Sequence, residues 1–106
     1  LADAGELDDA RAILREAIRA GAVTAAHYHL LALVESARSE EAASEDALRK
    51  AIYLDANHYP SIVQLALAVE MRGDRAQAAR LRDKAERARP AWEATAAHAA
   101  EAGHDD

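Results

Sequence analysis

The residues that could carry metal or acid–base chemistry are five histidines, nineteen carboxylates and thirteen basic side chains. His27 and His29 stand two apart, which on a helix puts them on different faces, so they cannot chelate one ion as an i, i+4 pair would. One is expected at the exposed or capping side of its helix and the other facing a groove. His58 falls in a turn, His98 and His104 fall near the C-terminus, and none belongs to a His-Glu-x-x-His motif. Glu45 with Arg49, Asp46 with Lys50 and Asp83 with Arg87 stand at i, i+4 with the acid first. That order favours helix salt bridges of ~0.2–0.5 kcal/mol each and reads as a solvated face. Arg11, Arg15 and Arg19 form a basic stripe, and Arg72, Arg75, Arg80 and Arg82 cluster further on. Either could take a phosphate or an acidic peptide, but Asp8, Asp9, Glu16 and Asp74 stand close by and favour self-neutralisation. Gly5 and Gly73 are each followed by an acid instead of Lys-Ser/Thr, so they make no phosphate loop and are expected in inter-helix turns. With no cysteine there is no thiolate nucleophile. No catalytic residue, no metal ligand set and no cofactor site is therefore expected.

The elements that must position these residues are helices. Of 106 residues thirty are alanine, against no phenylalanine, one tryptophan, two prolines and few β-branched residues. That composition favours an all-α fold with a thin, closely spaced core. The net charge of −6 has the wrong sign for a domain that neutralises phosphates, so nucleic acid is not an expected partner. No apolar run approaches the ~18–20 residues that cross a bilayer, so no membrane insertion is expected. The lack of cysteine suits a reducing compartment, and a cytoplasmic location is expected. The chain opens on Leu1 instead of Met and enters a repeat midway, which points to a piece of a longer polypeptide.

That repeat has a period of thirty-four residues. It aligns Gly5 with Ser39 and Gly73, Ala10 with Ser44 and Ala78, Ala17 with Ala51 and Ala85, Leu31 with Leu65, and Ala32 with Ala66. Within a unit, Tyr28, Leu31 and Ala32 share one helical face, and Ala47, Leu48, Ala51 and Ile52 repeat the stripe after the polar turn Arg38 to Glu41. Ile62, Leu65, Ala66 and Val69, the turn Arg72 to Asp74, then Ala78, Leu81 and Ala85 make the next hairpin. Pro90 is expected to close it, because proline does not easily continue a helix. The boundaries expected are 1–22 for a partial first unit with its second helix from Leu7 to Ala20, 25–56 and 59–90 for two complete units, 91–102 for a C-terminal capping helix, and 103–106 for a flexible tail.

Ile62-x2-Leu65-Ala66-x2-Val69, Gly73-Asp74, Ala78, Ala85 and Pro90 resemble the tetratricopeptide repeat (TPR), as does Tyr28-x2-Leu31-Ala32 with Leu48 and Ala51 in the preceding unit. Glu35 stands where that family usually has an aromatic residue, and Ala56 where it has proline. The run from Leu48 to Tyr59, Leu-Arg-Lys-Ala-Ile-Tyr-Leu-Asp-Ala-Asn-His-Tyr, with Leu65-Ala-Leu and Arg72-Gly-Asp74, is similar to the TPR segment of bacterial CheR-type chemoreceptor methyltransferases. The resemblance implies hairpins stacked as a right-handed superhelix whose inner face binds a protein or peptide. By register that groove would be lined by Ala26, His29, Leu30, Leu33, Ser36, Ala37, Val63, Gln64, Leu67, Glu70 and Met71. Leu30, Leu33, Val63, Leu67 and Met71 would form an exposed apolar strip, unless a C-terminal segment or neighbouring domain covers it. TPR domains that clamp chaperone tails carry Lys, Arg and Asn on this face. Ala, His, Val, Gln and Leu stand there in this chain and disfavour that partner.

The resemblance thus implies a non-catalytic interaction module for a chemoreceptor or signalling protein. Its parent would be an S-adenosylmethionine-dependent glutamate methyltransferase, and the fragment itself would hold no cofactor. The alternative is a dimerisation or scaffolding element. The first unit lacks most of its first helix, so Ile13, Leu14 and Ile18 want a partner, which a homodimer would supply. Trp92 could cap the other end by packing on Leu81 and Ala85, or the alanine tract around it could fray.

Overall fold

The computed structural model describes residues 3–103, and among them every regular element is a helix. In chain order these are α1 (Ala4–Arg19), α2 (Ala25–Ala37), α3 (Glu41–Leu54), α4 (Tyr59–Met71) and α5 (Arg75–Gly103). The chain divides into two compact units, residues 1–56 and 57–106. The first holds α1 to α3 and the second α4 and α5.

The thirty-four-residue period reappears in the helix limits. Ala25 and Tyr59 open α2 and α4, Ala37 and Met71 end them, and Glu41 and Arg75 open α3 and α5, each pair thirty-four residues apart. Three of the helices, α1, α2 and α4, end in the same way. The N–H of Gly21, Ser39 and Gly73 bonds the carbonyl of Ile18, Ser36 and Glu70, and the next N–H reaches back to Ala17, Glu35 and Val69. This double closure needs a left-handed residue at its centre. Gly21 and Gly73 have φ of 117° and 96°, and Ser39 adopts φ 62° without being glycine.

In the first unit α2 packs on α3 through Leu31 and Ala32 against Ala47, Leu48 and Ala51. Alanines at the crossing let the two backbones approach. The approach is close enough for the buried Ser44 hydroxyl to donate to the Ala32 carbonyl at 2.8 Å. Thr24 caps α2 by accepting from the His27 N–H, and the Lys50 ammonium of α3 lies 5.8 Å from the centre of the Tyr28 ring. α1 packs on α2 but buries no residue fully. In the second unit Ile62, Leu65, Ala66 and Val69 of α4 are buried, as are Ala78, Ala85 and Ala88 of α5. Each large aliphatic side chain buried in this way contributes about 1.5–3 kcal/mol.

Three local expectations are corrected. Gly5 lies inside α1, not in a turn. Asp3 caps the helix by accepting from the Glu6 N–H at 2.8 Å, and a Cβ on Gly5 would stand 3.3 Å from that same carboxylate, so α1 starts at Ala4 instead of Leu7. Pro90 does not close a unit, because α5 runs through it as one helix of 29 residues. The expected capping helix at 91–102 is the continuation of α5. Past the proline, Trp92 meets the His58 ring edge to face, with centroids 5.2 Å apart and planes at 77°. That contact, together with helix-forming alanines, offsets the missing Pro90 N–H. Of the expected tail, Gly103 ends α5, and 104–106 lie outside the described residues, as do Leu1 and Ala2.

Candidate partner-binding surfaces

The α2 residues opposite the Leu31–Ala32 stripe are Ala26, Leu30, Leu33 and Ala37, all exposed, with His29 and Ser36 half-buried beside them. Their spacing of three or four residues puts them on one face. On α4 the residues opposite Ile62, Leu65 and Val69 are Val63, Leu67 and Met71, all exposed, flanked by the half-buried Gln64 and Glu70. Met71 is 80% exposed. Each unit thus presents its own short apolar strip, on α2 in the first and on α4 in the second.

In the second unit this strip borders a trough of about 340 Å³ between α4 and α5. Tyr59, Val63, Ala66, Leu67 and Ala85 line it, and Arg82 and Glu86 supply its charges. Glu70 is ion-paired with Arg82 across the two helices. The hydrogen bond from Arg82 holds the Glu70 carboxyl below its ordinary value, and the same bond raises the Arg82 guanidinium. The trough is therefore apolar inside and charge-balanced at this edge.

α1 presents a different surface. Ile13 is 68% exposed, while Leu14 and Ile18 are half-buried. Its basic stripe is consumed internally. The Arg11 Nε lies 3.1 Å from Glu35 Oε1, the Arg15 guanidinium 3.5 Å from Oε2, and Arg19 pairs with Glu16 on its own helix. Arg38 donates to Glu35 at 2.9 Å and to Asp8 on α1 at 2.9 Å. Those two bonds, Asp8 first, raise the Arg38 guanidinium above its usual value. Glu35, 1% exposed, thus sits under three guanidinium groups. Beside it, Arg15, Ile18, Tyr28, Leu31 and Lys50 are among the residues that line a cavity of about 250 Å³.

In the sequence Glu35 stands out only through the TPR resemblance, as a carboxylate where an aromatic residue is usual. Its role as the acceptor for Arg11 and Arg15 was missed, although the two arginines stand at i, i+4 and Arg38 follows at i+3. Two of the histidines meet hydroxyl groups at helix starts. His27 Nδ1 lies 2.7 Å from the Thr24 hydroxyl, and the buried His58 Nδ1 lies 2.7 Å from the Ser61 hydroxyl. Among the described residues no three His, Asp or Glu side chains converge as metal ligands, and no helix is long and apolar enough to cross a membrane.

The class these features define is an all-helical protein built on helix hairpins, with apolar residues left on the outer face of the first helix of each hairpin. No protein-family model and no solved structure matches the chain. It is similar to the probable biofilm formation methyltransferase WspC of Pseudomonas aeruginosa, with 36% identity over 87 residues. The match takes in 82% of this chain but 21% of that protein, so the chain spans about a fifth of the relative's length.

Proposed function

We propose that the chain is a non-catalytic TPR module, the regulatory or targeting part of a CheR-type methyltransferase, that captures a protein or peptide partner. The observation that carries this reading is the pair of exposed strips, Leu30 and Leu33 on α2 and Val63, Leu67 and Met71 on α4. Large aliphatic side chains left in water at helical spacing are a standing invitation to an apolar partner. Similarity to part of a methyltransferase supports the parentage. In that reading the partner is a chemoreceptor or other signalling protein in the cytoplasm, and the net charge of −6 argues against nucleic acid. S-adenosylmethionine and methyl transfer would belong to the rest of such an enzyme, and no step of that chemistry is assigned to these helices.

The test is binding of receptor cytoplasmic peptides, followed by calorimetry with the wild-type chain and with Leu33→Asp and Leu67→Asp. Each charge should weaken binding at least about tenfold, the effect of losing one desolvated apolar anchor, while far-UV circular dichroism stays unchanged. Unchanged affinity in both variants would remove the reading. The exposure of Ile13 supports the second reading, a homodimer formed through Ile13, Leu14 and Ile18. A monomer by light scattering at high concentration would exclude it.

A further inference from the structure

α1 is attached differently from the other helices of its unit. Where α2 and α3 share a buried stripe of Leu31, Ala32, Ala47, Leu48 and Ala51, α1 buries no residue, and Leu7, Leu14 and Ile18 are only half-covered. What it does contribute is charge. Asp8, Arg11 and Arg15, on one face of α1, meet Glu35 of α2 and its C-cap residue Arg38 in ion pairs of 2.9–3.5 Å. We propose that α1 is a releasable arm, held to α2 by an ionic clasp centred on Glu35, so that ionic strength sets the fraction of time it is docked.

The two states are brought close in free energy by the nature of the acceptor. A carboxylate removed from water is a liability unless cations surround it, and the docked state supplies three. When α1 leaves, water reaches Glu35, and Arg38, three residues on at the C-cap of α2, still pairs with it at 2.9 Å. Release therefore strands no buried unpaired charge, in contrast to the rupture of an ordinary buried ion pair. The α1 partners remain within reach of salt, because the side chains of Arg11, Arg15 and Asp8 are 32%, 54% and 63% exposed. A five-residue link, Ala20 to Thr24, with Gly21 at φ 117°, joins the arm to α2. Few buried apolar contacts and ion pairs open to solvent are the marks of a segment that opens below the global unfolding free energy.

The test is amide hydrogen exchange on the intact 106-residue chain at about 20 mM and about 500 mM NaCl, ionic strengths whose screening lengths fall on either side of ~10 Å. Protection of the α1 amides should fall at least about fivefold at high salt while that of α2 and α3 holds. The Arg11→Gln/Arg15→Gln variant should lower α1 protection about tenfold at low salt, the loss of one charge-assisted bond, and abolish most of the salt dependence. The Arg11→Lys/Arg15→Lys variant, which keeps the charges, should retain that dependence. The proposal is overturned if α1 protection ignores both salt and the glutamine pair, or if α1 exchanges only together with α2 and α3 in one cooperative step.

Discussion

Ser39 and Gly73 occupy the same place in two hairpins thirty-four residues apart, close their helices with the same pair of hydrogen bonds, and differ in residue type. Exchanging the types should move stability in opposite directions. A side chain held in the left-handed region costs roughly 1–2 kcal/mol. Glycine removes that strain but gives the unfolded chain more freedom to lose, roughly 0.5–1 kcal/mol. Ser39→Gly should therefore stabilise the protein by about 0.5–1 kcal/mol. Gly73→Ser carries the full penalty at a φ of 96°, and since nothing lies within 4 Å of a Cβ built there, the penalty is purely one of backbone conformation. Net of the unfolded-chain freedom that serine removes, it should destabilise by about 0.5–1 kcal/mol. Urea titration and thermal melting followed by far-UV circular dichroism are the assays. At about 4–8 °C per kcal/mol for a domain of this size, Ser39→Gly should raise the midpoint by about 2–8 °C. A destabilised Ser39→Gly, or a Gly73→Ser variant indistinguishable from the parent, would refute the reasoning.

Pro90→Ala restores an amide donor to α5 and should stabilise it by about 1–3 kcal/mol, less than the ~3 kcal/mol of a fully packed helix because Pro90 is exposed. Exchange protection from Ala91 onward should rise, and no rise would mean that the proline is strain-free where it stands. The Glu70–Arg82 pair makes stability depend on pH in a defined sense. Because the folded carboxyl is held below its ordinary 4.5, its contribution is fully present above about pH 5 and is lost as the pH falls through the folded value. Glu70→Gln should thus be less stable than the parent at neutral pH and indistinguishable from it in strong acid, read by urea midpoints across that range. A difference that persists unchanged into acid would contradict the ion-pair assignment.

Helical periodicity made most of the helix legible before any coordinates. The stripes Tyr28–Leu31–Ala32 and Ile62–Leu65–Ala66–Val69 announce α2 and α4, and a residue's place relative to the stripe tells which side of the helix it occupies. Leu30, Leu33, Val63 and Leu67, which the TPR resemblance places by register on a groove face, lie on the side opposite those stripes and are exposed. The thirty-four-residue register puts Gly5 in a turn, but local chemistry overrides it. Asp3 followed three residues later by Glu6 is itself a helix-start signal, and it outranks the alignment of Gly5 with Gly73. Pro90 misled for the opposite reason. Its penalty is local and readable, whereas the contact of Trp92 with His58, thirty-four residues away in sequence, is tertiary. Glu35 belongs to the same category, since its α1 partner Arg11 lies twenty-four residues upstream and only the packed hairpin brings them together.

Within each unit, every helix packs on its neighbour in sequence: α1 on α2, α2 on α3, and α4 on α5. Chains whose contacts are this local close only short loops on the way to the native state, and helical proteins of this kind fold in microseconds to milliseconds. The single tryptophan, Trp92, belongs to the second unit, and the first holds only tyrosines. Stopped-flow or temperature-jump fluorescence of the intact chain would therefore time the assembly of α4 with α5 alone, without any engineered probe.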